Sequence, residues 1–214
     1  MPKTEQPAEI VREYGPFPGA PHVHGVSFDG RHVWFAAGAT LRSFDPATGE
    51  SRGSLDVVGS AGTAFDGRHL YQIAGDRIQK VDPKTGAVLS TIPAPGRGRD
   101  SGLAWAEGTL WVGQHQDRKI HQIDPETGAI LRTIESNRFV TGVTWVDGEL
   151  WHGTWEGSDA DIRRVDPETG EVLARLTMPK GTPVSGLESD QRDLFYVGGG
   201  TSGRIRAVRR PSKR

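Results

Sequence analysis

One pentapeptide, Asp-Pro-x-Thr-Gly, occurs four times, beginning at Asp45, Asp82, Asp124 and Asp166, so that its Asp steps by 37, 42 and 42 residues. A chain that repeats itself at this period is built from copies of one supersecondary unit, and a period near 40 is about one four-stranded propeller blade. The pentapeptide itself reads as a turn. Pro presets φ near −65°, the Asp carboxylate bonds turn amides, and Gly takes the left-handed conformation that follows. Four equivalent carboxylates therefore need no metal to explain them.

A second marker precedes each pentapeptide: Phe28-Asp29-Gly30, Phe65-Asp66-Gly67, Ala106-Glu107-Gly108 and Val146-Asp147-Gly148. Each separates two apolar runs, the pattern of a tight hairpin with a primed turn. Runs such as Val33-Trp34-Phe35 and Leu110-Trp111-Val112 then supply second strands, and Trp34, Tyr71, Trp111, Trp151 and Phe195 recur at one packing position. Gly25, Gly62, Gly102, Gly142 and Gly186 mark five first strands. The fifth unit lacks a fourth strand, while Glu9-Ile10-Val11-Arg12, followed by Pro16 and Pro18, parallels Glu171-Val172-Leu173-Ala174, followed by Pro179 and Pro183.

The expected fold is therefore an all-β, five-bladed β-propeller of four antiparallel strands per blade, with residues 7 to 14 completing the last blade. Such closure removes open sheet edges. One domain spans residues 1–214, with blades near 22–58, 59–96, 97–136, 137–179 and 180–210 plus 8–14.

Lys and Arg number 26 against 27 Asp and Glu, so no global basic field attracts nucleic acid or anionic membrane. Cysteine is absent, which removes disulfides, thiolate ligands and a Cys nucleophile. The first residues have no apolar run of signal-peptide length, and nowhere do some twenty apolar residues stand together. A cytoplasmic monomer that takes a small-molecule ligand is the expectation, with neither nucleic acid nor membrane as partner.

Leu70-Tyr71-Gln72 and Val81-Asp82-Pro83-Lys84-Thr85-Gly86-Ala87-Val88-Leu89, with the five-blade count, resemble the glutamine cyclotransferase family, propellers that cyclise N-terminal glutamine. Leu150-Trp151-His152-Gly153-Thr154-Trp155 is similar to that family's Leu-Tyr-Gln-Leu-Thr-Trp stretch. The family's Phe-Thr-Gln-Gly-Leu opening is here His22-Val23-His24-Gly25-Val26, and its Phe-Gly-Glu-Gly segment is Phe139-Val140-Thr141-Gly142. Thr141 stands at the acidic position, and Ala61, Ser101 and Ser185 hold the equivalent ones. The resemblance implies the fold; glutamine cyclisation is not expected. Val33-Trp34-Phe35 and Ile162-Arg163-Arg164-Val165-Asp166-Pro167 give a lesser similarity to virginiamycin B lyase and gluconolactonase-like propellers, which have more blades. The Gly-His and Trp-Asp markers of WD40 repeats are missing, which weighs against a pure interaction scaffold.

In a propeller, positions bound only by packing look alike in every blade, so departures point to function. The segments before the first-strand glycines differ: His22-Val23-His24, Gly59-Ser60-Ala61, Arg99-Asp100-Ser101, Phe139-Val140-Thr141 and Pro183-Val184-Ser185. The loops between second and third strands are minimal in blades one and two. They are loaded in blades three and four, with Gln114-His115-Gln116-Asp117 and Thr154-Trp155-Glu156-Gly157-Ser158-Asp159.

Candidate catalytic groups are His24 and His115, since neutral His is the natural general base near pH 7, and Glu156 as an acid. Candidate ligand contacts are Trp155, Gln114, Asp100, Arg138, Ser101, Thr141 and Arg99. His22 and His24, two apart on an extended segment, project to one side and read either as a hydrogen-bonded pair or as metal ligands. The cofactor that this reading allows is one divalent ion, Ca, Mg or Zn. Arg97, Arg99 and Arg138 either hold a carboxylate or phosphate or pair with Asp100 and Glu135. Asp159 and Asp161 read either as acids or as an exposed acidic loop. His152 reads as a satisfied structural histidine ahead of a catalytic one, His32, His69 and His121 as surface, and Arg209–Arg214 as a frayed tail.

The leading function is a small-molecule enzyme of hydrolase, lyase or cyclotransferase type at the channel mouth, using His acid/base or divalent-metal chemistry. The alternatives are a non-catalytic propeller that binds a small ligand or protein, and a glutaminyl-peptide cyclotransferase.

Overall fold

The computed structural model describes residues 2–212 as a ring of five sheets. The N-terminal segment forms β1 (Thr4–Pro7) and β2 (Ile10–Tyr14). Blade one is β3 (Val26–Phe28), β4 (Val33–Ala36), β5 (Leu41–Phe44) and β6 (Ser51–Leu55), and blade two is β7 (Thr63–Phe65), β8 (Leu70–Ala74), β9 (Arg77–Val81) and β10 (Val88–Pro93). Blade three is β11 (Asp100–Ala106), β12 (Thr109–Gln114), β13 (Lys119–Ile123) and β14 (Ile130–Glu135). Blade four is β15 (Val140–Val146), β16 (Glu149–Glu156), β17 (Asp159–Val165) and β18 (Val172–Thr177). Blade five has β19 (Leu187–Ser189), β20 (Leu194–Gly198) and β21 (Ile205–Arg209), and β2 pairs antiparallel with β21 as its fourth strand. The expected closure is thus present. It is joined by a contact that the repeat does not foreshadow: β1 pairs parallel with β18 and gives blade four a fifth strand.

The turn grammar holds in detail. In each Asp-Pro-x-Thr-Gly the closing glycine has positive φ, from 74° to 84°, and donates to the carbonyl of its Asp. Oδ1 of Asp45, Asp82, Asp124 and Asp166 accepts the amide two residues on. The hairpins differ between blades. Glu107-Gly108 and Asp147-Gly148 have positive φ at both residues, the primed turn expected. Asp29 and Asp66 instead hold wider turns, each taking the amides two and three residues on at its Oδ1.

Alternating strand residues face opposite neighbours, so the apolar core divides into five clusters, one at each blade interface. Trp34, Tyr71, Trp111, Trp151 and Phe195 are all buried, as the repeat predicts. The first strands meet at the axis through their glycines. A Cβ on Gly62 would stand 2.5 Å from Leu103 N, on Gly102 2.6 Å from Thr141 O, and on Gly186 2.6 Å from His24 O. Gly25 and Gly142 face Ala61 and Leu187 in the same way. The channel between them has no room for a water molecule.

Several sequence expectations are corrected. His121 is buried, its Nδ1 2.7 Å from Oγ1 of Thr133, its partner on the fourth strand of blade three. Arg210 is not frayed: it pairs with Asp147 at 2.5 Å, and its amide bonds Asp193 O. Residues 213 and 214 lie outside the described residues. The supposed long loop of blade four is a hairpin, in which Trp155 pairs with Ala160 and only Gly157 and Ser158 form the turn.

Two outcomes test this architecture. Deleting residues 2–14 removes Tyr14, whose ring packs 4.7 Å from that of Phe44 and whose hydroxyl bonds Pro46 O. It also bares the edge of β21, so aggregation or a stability loss of at least about 3 kcal/mol is expected. A truncated chain melting within about two degrees of the full one would refute closure. Gly102→Ala should cost about 2 kcal/mol or more in chemical denaturation, since the obstructing atoms are backbone.

Candidate functional site

Two faces of the disk carry chemistry: an upper face where the first strands begin and a lower face where they end. On the upper face, His22 and His24 flank Val23, which bridges to Gly200, and their rings stack with centroids 6.0 Å apart. Trp155 lies against the same Gly200, where a Cβ would stand 3.3 Å from the indole Cζ3. The indole Nε1 donates to Gly157 O at 3.0 Å. Trp155 and the histidine pair are therefore neighbours through Gly200.

A second group surrounds Phe139. The His115 ring sits 4.6 Å from the Phe139 ring, and the Arg118 guanidinium lies 4.8 Å from the same centroid. Glu156 accepts from the Phe139 amide at 2.8 Å and pairs with Arg138 at 3.2 Å and Arg118 at 3.9 Å. Arg138 also approaches Asp161 at 3.9 Å. Asp161 is buried rather than exposed, because Thr154 and Arg163 each bond it at 2.7 Å. Asp159 stays exposed at the turn.

The third group lines the start of β11. Asp100 is buried and takes the Gly96 amide at 2.9 and 3.0 Å, opposite its strand partner Gln114. Ser101 donates to Val140 O at 2.8 Å. Thr141 Oγ1 is buried without a hydrogen-bond partner. Arg99 pairs with Asp117 at 3.1 Å and Arg138 with Glu156 at 3.2 Å, so of the two readings the arginines follow internal pairing, with Asp117 and Glu156 in place of Asp100 and Glu135. Arg97 is exposed, at φ 50°.

Burial lowers the pKa of His24, helped by the charge of His22, and burial lowers that of His115 against the pull of Glu156. Both are neutral near pH 7. His152 is a structural histidine: burial pushes it down to about 4, and Nδ1 donates to Gly153 O at 3.1 Å. Burial raises Asp100, opposed by the Gly96 amide. Among the described residues no group of three or more His, Asp or Glu is placed to hold a metal ion.

The lower face holds what the sequence reading missed. A cavity of about 710 Å³ opens there, floored by first-strand ends from all five blades. Phe28, Phe65, Trp105 and Trp145 line it from blades one to four. Trp105 stacks on Tyr71 at 5.6 Å, Trp145 on Trp111 at 6.2 Å, and Phe28 packs on Tyr196 at 5.6 Å. Blade five puts Ser189 at the aromatic position and Glu188 just before it. Glu188 is 8% exposed. Its Oε1 accepts from Thr144 Oγ1 at 2.5 Å and from the Ser189 amide at 2.8 Å, while Oε2 has Ser27 Oγ at 3.5 Å. Burial raises its pKa from an ordinary 4.5 to about 7, against the bonds from Thr144, Ser189 and Ser27.

The family model described as outer membrane protein assembly factor BamB matches residues 74–212, more than half of the chain. The chain belongs to this family. No curated protein matches its sequence. Among solved structures, that of Myxococcus xanthus glutaminyl cyclase resembles it with a TM-score of 0.78 at 18% identity over 98% of both chains. The WD40 β-propeller domain of Doa1 gives 0.56 at 18% identity over 87% of this chain and 63% of that one. A chain of the mitotic checkpoint complex gives 0.55 at 16% over 89% and 62%. These likenesses show a shared propeller fold.

Within this family member, the signal for Glu188 was present in the repeat. The second residue after each ring glycine is Ser27, Ala64, Ala104, Thr144 and Glu188, so one blade departs from small side chains. This position follows the glycine, on the opposite face from the segments and loops in which the blades differ most visibly. Because the folded-state pKa is raised, the stability that Glu188 allows is complete below 4.5 and declines as pH climbs toward about 7. Glu188→Gln keeps an acceptor for Thr144 and Ser189. It should stabilise the protein by about 1–3 kcal/mol near pH 8 and by almost nothing near pH 4.5, as read by thermal melts at both.

Proposed function

We propose that the protein is a small-molecule enzyme of hydrolase, lyase or cyclotransferase type whose acid/base chemistry sits on the upper face. One observation carries this reading: His24 and His115 are both half-buried there and both have pKa values lowered by burial. A neutral imidazole near pH 7 accepts a proton from an attacking hydroxyl, water or amine, and is partly shielded from bulk water while it does so. Glu156, held by Arg138 and the Phe139 amide, places a carboxylate whose charge favours the imidazolium formed on His115. Trp155 offers an indole for stacking near His24. Asp100, Ser101, Gln114, Thr141, Arg99 and Arg138 give this face its polar groups.

The likeness to glutaminyl cyclase over the whole chain supports a cyclotransferase-type reaction. Cyclisation of glutamine itself is not proposed. The segment resembling the family's acidic motif carries Thr141, and a hydroxyl at ordinary pKa is a poor proton acceptor.

The test is turnover of a Gln-initiated peptide, an aldonolactone and a cyclic depsipeptide. We expect no pyroglutamate from the first and measurable opening of one of the others. His115→Ala or His24→Ala should cut that rate by about 10²–10⁴-fold with little change in melting temperature. The wild-type rate should rise with pH through an apparent pKa below the ordinary histidine value of 6.5. Efficient pyroglutamate formation, or full activity in both alanine variants, would overturn the assignment.

A further inference from the structure

We infer that the lower-face cavity binds a small organic cation, an ammonium group carrying an apolar body, with Glu188 as its counter-ion and the four first-strand aromatics as its walls. This site is separate from the upper-face histidines, since the closed glycine ring lies between the two.

A carboxylate buried to this degree is ordinarily paired with a cation or protonated. Glu188 has neutral donors only: the hydroxyls of Ser27 and Thr144 and one amide. Among the described residues no Lys, Arg or His contributes to its charge balance. Its two oxygens are unequal. Oε1 is satisfied at 2.5 and 2.8 Å, whereas Oε2 has a single long contact at 3.5 Å and belongs to a residue that lines the cavity. That oxygen can accept a short, charge-assisted bond from an N–H donor.

The surroundings select the ligand further. Phe28, Phe65, Trp105 and Trp145 are partly exposed at the cavity wall, and indole and phenyl faces attract cations while burying methylenes. Asp29, Asp66, Glu107 and Asp190 add negative charge, against Arg192 alone. An anion is repelled by this field, and a neutral ligand leaves the carboxylate uncompensated. The phenol that lines the site, Tyr196, is raised by burial beyond the range in question. A volume near 710 Å³ suits a small-molecule ligand. A purely packing role for Glu188 accounts for its bonds to blades one and four, yet neither the single long contact of Oε2 nor the aromatic walls follow from it.

The probe is n-hexylammonium, with n-hexanol as its neutral counterpart and hexanoate as its anionic one, titrated into the full chain by calorimetry and Trp fluorescence. At about pH 8 we expect saturable binding of hexylammonium and at least about 10-fold weaker binding of the other two. Near pH 5.5, where Glu188 is protonated, the affinity for hexylammonium should fall about 10-fold or more. Glu188→Gln should bring the same loss at pH 8, and Trp145→Leu a smaller one. No saturable binding at about 10 mM, equal affinity for hexanol, or an unchanged affinity at the two pH values would overturn the inference. The wild-type comparisons decide the matter even if a variant fails to fold. Loss of upper-face activity in the histidine variants leaves this outcome untouched.

Discussion

At the axis of the ring, Gly25, Gly62, Gly102, Gly142 and Gly186 meet backbone to backbone, each occupying the space that a Cβ would need against the next blade. The remaining architecture depends on that approach. With no side chain between them, the inner strands close around an axis too narrow for water, and five blades complete the circle. The apolar residues on either side of each blade then fall into register with those of its neighbours, which is why the core consists of five interfacial clusters. A larger residue at any ring position would press on backbone atoms, which cannot rotate away as a side chain can.

A closed axis divides the molecule chemically. Ligands cannot pass from one face to the other, so each face must assemble its own site from loops or strand ends. The upper face gathers neutral histidines, an indole and a carboxylate tied to arginines. The lower face gathers aromatic walls around a buried carboxylate that has no cationic partner among the described residues. The two differ because the second-to-third strand hairpins vary between blades above, whereas below only blade five departs from the ring, with Glu188 for a small residue and Ser189 for an aromatic.

The same segment that closes the ring also ties two blades together. β2 completes blade five, and β1, two residues before it, runs parallel along blade four. Ion pairs bind this strap to its supports, from Glu13 to Arg204 and Arg206 and from Glu5 to Arg175. These are partly exposed pairs and contribute modestly; the buried Tyr14 ring between Phe44 and Tyr196 supplies the larger part.

The sequence by itself determined the blade count, the strand order within each blade, the turns at Asp-Pro-x-Thr-Gly, the buried aromatic column and the closing strand. All of these follow from local turn chemistry and period-two alternation, repeated often enough to be unmistakable. Only the tertiary structure decided the rest. The parallel pairing of β1 carries no apolar pattern of its own, since its residues are exposed and it is held by backbone bonds and the Glu5–Arg175 ion pair. Asp161 and His121 look like surface residues in sequence, and they are buried because a neighbouring strand or an arginine happens to cover them. Glu188 was visible as a departure from the repeat. That its carboxylate would have only neutral partners among the described residues, beside a cavity, is a fact of three blades meeting, which no single strand encodes.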